Sequence, residues 1–248
     1  MKDTRLIMGM PVVVEIVGSD RDILEKVFEY FTAIDERFST YKETSEISRI
    51  NRGELSPSEY SDDMRAVLKL AEDTKHATHG YFDIRTPQGT IDPSGVVKGW
   101  AINGAAQLLH EQGYHDFWVE AGGDIQTSGH NAADAPWSVG IRNPFDAREI
   151  VKVLYPAGRG IATSGDYIRG KHIYDPHTMQ PAASDITSLT VIGPDVDEAD
   201  RIATAAFAMG IDGILFVESL EGFEAYAIDR DGTATLTSGL AACTQEPR

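Results

Sequence analysis

Cysteine and long apolar runs are almost absent from this sequence. Cys243 is the only cysteine among 248 residues, which excludes a disulfide within the chain and a metal site built from several cysteines. No stretch of eighteen apolar residues occurs, so we expect no transmembrane helix and no insertion into a membrane. The N-terminal segment has no apolar stretch of signal-peptide length, and on that ground we expect a cytoplasmic protein.

Positive charge is also scarce. The chain has 22 Lys and Arg against 39 Asp and Glu, a formal net charge of −17. Such a surface repels nucleic acids and anionic membranes, so we expect neither as a partner. It repels an anionic ligand at long range as well. A nucleotide site in this chain must therefore be built locally from lysine, backbone N–H groups and a cation.

The remaining composition is ordinary for a globular protein, with 42% hydrophobic and 25% charged residues. A chain of this length forms one large domain or two small ones and can bury a sizeable core. We find no internal repeat, low-complexity stretch or linker. The sequence therefore predicts a single domain over residues 1–248.

Hydrophobic periodicity predicts a mixed order of helices and strands. The predicted strands are residues 11–17, 117–121, 137–142, 151–155, 188–192, 223–228 and 233–236. The predicted helices are residues 20–32, 45–51, 61–78, 97–112 and 198–209. Helices and strands neither alternate strictly nor separate into blocks. This order favours an α+β fold with mixed, mainly antiparallel sheets and packed helices.

A first polar segment runs from Asp92 to Lys98. Asp92 precedes Pro93 and is therefore biased toward an extended backbone. Gly95 allows a ligand to approach the backbone closely. Lys98 lies at or near the start of a predicted helix, where N–H groups and the helix dipole favour an anion. The alternative is a capping Asp, a glycine turn and a solvated Lys. The spacing is not that of a Walker A phosphate loop.

Asp200 and Thr204 form a second pair on a helix that is otherwise small and apolar. A spacing of four places both side chains on one helix face. If that face is buried, the carboxylate and hydroxyl need a polar partner, and a hard cation is suitable. If it faces solvent, Thr204 bonds back to the carbonyl of Asp200. The pattern does not decide between the two.

A third segment, residues 163–167, carries hydroxyls beside a glycine and leads to His172. The hydroxyls can donate to a phosphate, and His172 is either a general base or a structural residue. Together the three segments offer oxygen ligands, phosphate donors and an imidazole. This combination indicates phosphoryl or nucleotidyl transfer on a metal-bound diphosphate. Tyr41 and residues 81–82 either stack on a flat ring or pack in the core.

Seven motifs, in this order, resemble those of ApbE-type FAD:protein FMN transferases, a family also called thiamine biosynthesis lipoprotein. They are Phe38-Ser-Thr-Tyr-x3-Ser-Glu-Ile-Ser-Arg-Ile-Asn51, Gly80-Tyr-Phe-Asp-Ile84, Asp92-x5-Lys98-Gly99, Ala121-Gly-Gly-Asp-Ile125, Ala162-Thr-Ser-Gly-Asp-Tyr167, His172-Ile-x-Asp-Pro176 and Ala199-Asp-x-x-Ala-Thr-Ala205. The resemblance extends from Met8 to about Gly239. This chain is a short variant, because few residues separate Asp83 from Asp92 where the family has a much longer segment. Its N-terminal segment does not resemble the lipoprotein signal of exported members, which agrees with the cytoplasmic location that we expect.

The resemblance implies that FAD, as a substrate, is split at its diphosphate in the presence of Mg²⁺. FMN is then transferred to a Thr or Ser hydroxyl of an acceptor flavoprotein, and AMP leaves. Two alternatives remain. One is an FAD pyrophosphatase that releases FMN and AMP, and the other is a non-catalytic FAD-binding protein.

The resemblance also implies roles for individual residues. The catalytic proton acceptor is His172. The Mg²⁺ ligands are the backbone carbonyl of Gly95 and the side chains of Asp200 and Thr204. The FAD-binding residues are Met8, Tyr41, Tyr81, Phe82, Asp83, Asp92, Lys98 and Tyr174. With this assignment Mg²⁺ and Lys98 neutralise charge on the diphosphate during transfer.

Overall fold

The computed structural model describes residues 1–18, 20–166, 173–182 and 185–246. The strands are β1 (Lys2–Ile7), β2 (Met10–Ile16), β3 (Phe117–Ala121), β4 (Asp124–Ser128), β5 (Val139–Arg142), β6 (Ile150–Leu154), β7 (Gly160–Gly165), β8 (Tyr174–Asp175), β9 (Gln180–Pro181), β10 (Ile186–Gly193), β11 (Glu224–Asp229) and β12 (Ala234–Leu236). The α-helices are α1 (Arg21–Phe38), α2 (Glu46–Asn51), α3 (Asp62–Ala77), α4 (Ser94–Glu111), α5 (Val196–Ala208) and α6 (Asp212–Glu218). Short 3-10 helices cover Pro57–Glu59 and Leu240–Thr244.

One large sheet organises the fold, with the strand order β1-β2-β3-β4-β7-β10-β11-β12. Within the described ranges every neighbouring pair of this sheet is antiparallel. Strands β5 and β6 form a separate hairpin, as do β8 and β9. The predicted α+β class with mainly antiparallel sheets is confirmed.

The two faces of the sheet are covered by different elements. Ala162 and Val191 pack in one cluster with α5 and α6. Their neighbours Ile161 and Ile192 pack in another cluster with Leu154 of the β5–β6 hairpin. Successive side chains of a strand point to opposite faces, so the central strands are buried on both sides. A third cluster joins helices α1 to α4 with β2 and β3.

Helix caps fix where several helices begin. The side chain of Asp20 accepts hydrogen bonds from the N–H groups of residues 22 and 23 at the start of α1. Ser45 and Ser61 cap α2 and α3 in the same way, as the predicted helix starts require. The sequence offers either Ser19 or Asp20 as the cap of α1, and Ser19 lies outside the described residues. Helix α1 continues to Phe38, beyond the predicted end at residue 32, because Ile34 and Phe38 still face the core.

Helix α4 begins at Ser94, three residues before the predicted start. The Asp92 Oδ1 atom accepts a hydrogen bond of 3.1 Å from the N–H of Ser94, which stabilises this first turn. Gly95 therefore lies in the first turn of the helix, and Lys98 lies a full turn inside it.

Among the helices that the structure describes, none combines the length and the apolar composition that a membrane span requires.

Helices α4 and α5 cross at Gly99 with their backbones almost in contact. A Cβ atom at Gly99 would lie 2.9 Å from the Asp197 Cα, from the Asp200 Cβ and from the Val196 carbonyl oxygen. Only glycine fits at this crossing. The close approach brings the polar residues of the two helices together.

Candidate active site

Lys98 lies between two buried carboxylates. Its Nζ atom is 2.5 Å from Asp124 Oδ2 and 3.3 Å from Asp200 Oδ1. The Asp124 and Asp200 side chains are 2% and 3% exposed, so water screens these charges poorly. Two carboxylates and one ammonium group leave a formal charge of −1 in the interior when all three are ionised. This excess negative charge favours binding of a cation.

Asp200 is held by the neighbouring helix as well as by Lys98. Its Oδ2 atom accepts a hydrogen bond of 3.0 Å from the N–H of Gly99. In a regular α-helix that N–H donates to the carbonyl four residues earlier, here Gly95. The carboxylate competes for this donor and leaves the Gly95 oxygen with acceptor capacity. Burial raises the pKa of Asp200 to about 7, Lys98 opposes this rise, and Asp124 adds to it.

The predicted metal ligands of two helices converge. Thr204 follows Asp200 by one helical turn, and a Cβ built on Gly95 would lie 4.0 Å from Thr204 Cγ2. Ser164 of β7 adds a second hydroxyl from a third segment of the chain, with its Oγ 3.5 Å from Thr204 Oγ1. Thr204 is partly buried. Of the two alternatives that the sequence left open, the structure therefore adopts the one in which this helix face is turned toward the interior.

These residues fit a hard divalent cation. A carboxylate, a hydroxyl and a backbone carbonyl are the oxygen ligands that Mg²⁺ prefers, and Mg²⁺ commonly keeps water or substrate phosphate in its remaining positions. Among the described residues no cluster of three or more His, Cys, Asp or Glu side chains has metal-binding geometry.

Asp124 is a site residue that the sequence analysis did not single out. It begins β4 and is 1% exposed. Its Oδ1 atom accepts a hydrogen bond of 3.0 Å from the N–H of Thr163 in β7. The ladder between β4 and β7 pairs Ile125 with Ile161 and Gln126 with Gly160, so this side-chain bond extends the junction by a further contact. The sequence signal that could have pointed to Asp124 is its position after two glycines and before an apolar residue.

Two of the predicted FAD-binding residues have clear structural contacts. Phe82 is 3% exposed and its ring lies against Gly95, so it packs in the core and offers no free ring face to a ligand. Asp83 accepts a charged hydrogen bond of 2.6 Å from Lys75 Nζ. The N–H of Phe82 donates to Thr78 Oγ1, which ties the segment to the end of α3.

Asn51 positions the loop that leads to Asp92. Its Nδ2 donates to the Ile91 carbonyl at 2.9 Å, and its Oδ1 accepts from the Ile91 N–H at 2.8 Å. The loop itself turns back through a hydrogen bond from Thr86 N–H to the Thr90 carbonyl. A cavity of about 360 Å³ lies between α2 and this loop, with Asp92 on its wall. In the sequence, Asn51 stands out only as the last residue of the Phe38–Asn51 motif.

Two more of the predicted FAD-binding residues lie at the surface. Tyr41 is 97% exposed and Tyr174 is 42% exposed, so both are free to pack on a ligand. Met8 is partly buried against the core and has a positive φ of 55° between β1 and β2. The Tyr81 ring meets the His177 ring edge to face at 4.5 Å. His172, the predicted base, and Tyr167 lie outside the described residues.

A family model supports the interpretation of these motifs. The model of the ApbE family matches residues 8–88 and 85–227, which is most of the chain. Its two matching stretches meet at residues 85–88, in the short loop before Asp92.

Curated relatives are similar over large parts of the chain. An FAD:protein FMN transferase of Vibrio cholerae is 25% identical over 280 aligned positions, which cover 85% of this chain and 84% of the relative. The alignment is longer than the 248 residues of this chain, so the relative has residues without a counterpart here. An FAD:protein FMN transferase of Escherichia coli K12 is 30% identical over 74% of this chain but only 56% of the relative.

Solved structures share the fold. The structure described as flavin transferase ApbE from Vibrio cholerae has a TM-score of 0.86 and 23% identity, and the match covers 98% of both chains. The ApbE protein of Thermotoga maritima also has a TM-score of 0.86, with 24% identity over 99% of both chains. The family model over most of the sequence, together with this shared fold, identifies the protein: the chain belongs to the ApbE family.

Proposed function

We propose that this protein is a Mg²⁺-dependent FAD:protein FMN transferase. The observation that carries the proposal is the buried group of Lys98, Asp124 and Asp200, with Thr204 and Ser164 beside it, in a chain of the ApbE family. The group combines a fixed ammonium, excess negative charge and oxygen ligands. These are the features that a metal-bound diphosphate substrate needs.

The Mg²⁺ ligands from the protein are the Gly95 carbonyl, Asp200 and Thr204. The proximity of Gly95 to Thr204 and the hydrogen bond from the Gly99 N–H to Asp200 support this set. When bound, Mg²⁺ supplies charge neutralisation at the diphosphate of FAD. FAD itself is held by the segments around Met8, Tyr41, Tyr81–Asp83, Asp92 and Tyr174.

The reaction exchanges the phosphoanhydride bond of the FAD diphosphate for a phosphoester bond to the acceptor. The acceptor hydroxyl oxygen forms a bond to the FMN phosphorus, while the bond from that phosphorus to the bridging diphosphate oxygen breaks. The proton of the hydroxyl goes to His172, and AMP leaves with the bridging oxygen. Lys98 stabilises charge that develops on the transferring phosphoryl group and on AMP. The acceptor residue is a Thr or Ser of a partner flavoprotein.

The test mixes the protein with FAD, Mg²⁺ and a peptide that carries an Asp-x-x-Ser/Thr-Ala-Thr sequence. Mass spectrometry reports a gain of one FMN on the peptide, and chromatography reports AMP. We expect both products, and we expect Asp200→Ala to abolish them while some FAD remains bound. Asp212→Ala, which removes an exposed carboxylate at the start of α6, is the matched control and should keep full activity.

Other outcomes assign the alternatives. FMN and AMP without a labelled peptide or a labelled full-length acceptor would indicate an FAD pyrophosphatase. Intact FAD under all conditions would contradict the enzyme assignment and leave an FAD-binding protein. A cytoplasmic location stays a prediction from the sequence, and fractionation of the source cells with an antibody against the protein tests it.

A further inference from the structure

Lys98 is not shared equally between its two carboxylates. Its ammonium nitrogen is 2.5 Å from Asp124 and 3.3 Å from Asp200. The ion pair with Asp124 is therefore the closer one. Asp200 instead receives the backbone N–H of Gly99 on its other oxygen.

The position of the Asp124 carboxylate is fixed by its burial and by a backbone hydrogen bond, and the Lys98 side chain extends to it. The Asp124 side chain is buried, and its Oδ1 accepts the Thr163 N–H across the junction of β4 and β7. Lys98 is on a helix and reaches the carboxylate with a long, flexible side chain. The position of the ammonium group is thus set by the sheet through Asp124.

Removing the charge of Asp124 would change the state of Asp200. Lys98 would then have Asp200 as its remaining buried carboxylate in this trio, and the two would form a neutral pair. A divalent cation would have to displace the ammonium group before it could bind Asp200. With Asp124 charged, the trio keeps an excess negative charge and Asp200 Oδ1 keeps its distance from Lys98.

We propose that Asp124 is a positioning residue that holds Lys98 away from Asp200 and so keeps Asp200 available to the divalent cation. The inference rests on the proposed function, because it takes Asp200 as a ligand of the cation used in FMN transfer. Asp124 acts through Lys98 and is not itself a ligand.

The direct test is Mn²⁺ binding to the purified full-length protein, read from the electron paramagnetic resonance signal of free Mn²⁺. Titrations are made with Mn²⁺ alone and with Mn²⁺ plus ADP, whose diphosphate cannot donate FMN. We expect Asp124→Asn to weaken Mn²⁺ binding by about tenfold or more, because the cation must now break the pair of Lys98 with Asp200. The asparagine oxygen can still accept the Thr163 N–H, so the strand junction is retained.

The matched control is Glu120→Gln. Glu120 precedes Ala121 on β3, and its carboxylate accepts a hydrogen bond from the Trp118 indole N–H. The Glu120 and Trp118 side chains lie on the sheet face opposite the Ala121 side chain. This change also removes one negative charge, and we expect Mn²⁺ binding to change by less than about twofold. Circular dichroism and urea unfolding check the fold of each variant. Asp124→Ser is a second neutral variant with a small acceptor, and it should show the same weakening.

A double-mutant cycle separates positioning from direct ligation. In a Lys98→Met background, Asp124→Asn still removes a nearby negative charge, but it no longer releases an ammonium group to Asp200, so we expect a clearly smaller loss of Mn²⁺ affinity than in the unaltered protein. A loss that is as large or larger in the Lys98→Met background would show that Asp124 acts on the cation through its own charge or as a ligand, and it would overturn the proposal. Unchanged affinity in Asp124→Asn, or no Mn²⁺ binding by the unaltered protein with or without ADP, would overturn it as well.

Failure of this inference and failure of the proposed function give different results. FMN transfer by the unaltered protein is scored independently of Mn²⁺ binding. Transfer activity with no effect of Asp124→Asn on Mn²⁺ binding would refute the inference alone. A clear coupling of Asp124 and Lys98 in a protein that transfers no FMN would refute the function alone.

Discussion

Asp200→Asn should make the metal-free protein more stable at pH 8. Burial raises the pKa of Asp200 to about 7 from a usual value of 3.8. The unfolded chain therefore ionises this group more readily than the folded protein does, and the free energy of unfolding falls as pH rises from about 4 to 7. Asparagine does not ionise, so the variant avoids the free-energy cost of a buried carboxylate. It can also keep the hydrogen bond from the Gly99 N–H.

The size of the effect follows from the shift in pKa. A shift of about 3 units corresponds to about 4 kcal/mol at pH 8, and to about 2 kcal/mol at pH 5, where much less of the cost is developed. The asparagine amide also faces the Lys98 ammonium, which costs about 1–3 kcal/mol at either pH. That cost cancels when the two pH values are compared. The gain from Asp200→Asn should therefore shrink by about 2–3 kcal/mol between pH 8 and pH 5.

Equilibrium urea unfolding in EDTA, at pH 8 and at pH 5, measures this difference. Asp212→Asn removes an exposed carboxylate and should change the free energy of unfolding by the same small amount at both pH values. Adding excess Mg²⁺ should stabilise the unaltered protein more than the Asp200→Asn variant, because a ligand that binds the folded state shifts the equilibrium toward it. If the unaltered protein and the Asp200→Asn variant differ in stability by the same amount at both pH values, the raised pKa of Asp200 does not contribute to the stability of the protein.

Three further changes test other parts of the structure. Gly99→Ala should lower the free energy of unfolding by about 1–3 kcal/mol, since the new Cβ would meet backbone atoms of α5 at 2.9 Å, and urea unfolding measures it. Asn51→Ala removes both hydrogen bonds to Ile91 and should raise KM for FAD more than it lowers kcat in steady-state assays of AMP release. His172→Ala should lower the rate of FMN transfer by about 10² or more, the scale of a lost general base, and a near-normal rate in single-turnover assays would leave His172 a structural role.

Much of the local structure was predictable from the sequence. The strand at Phe117–Ala121 has the predicted bounds, and the helices capped by Ser45 and Ser61 begin where predicted. These signals are local, because a cap or a hydrophobic period lies within a few neighbouring residues. Helix α4 was placed three residues late, since it begins with Ser94 and Gly95, which favour a helix less than alanine or leucine does.

Strands β4 and β7 could not be predicted in this way. Four of the five residues of β4 are buried, yet they include Asp124, Gln126 and Thr127. Two of these side chains have partners elsewhere in the chain, because Asp124 accepts from the Thr163 N–H and Gln126 accepts from the Val196 N–H. A polar residue indicates an exposed position until its distant partner is known.

The candidate site divides along the same line. The family, the fold class and most of the residue types of the site were predictable from the sequence alone, because its motifs are short and occur in a fixed order. The spacing of Asp200 and Thr204 also predicted that they share one helix face. The burial of this face, and the position of Asp124 beside it, depend on contacts between distant parts of the chain and could be read only from the folded structure. Lys98, Asp124 and Asp200 are far apart in the sequence, and they meet because α4 and α5 cross without a side chain at Gly99. Water would screen these three charges from one another in the unfolded chain. In the buried crossing they interact strongly, because the interior has a lower dielectric constant than water.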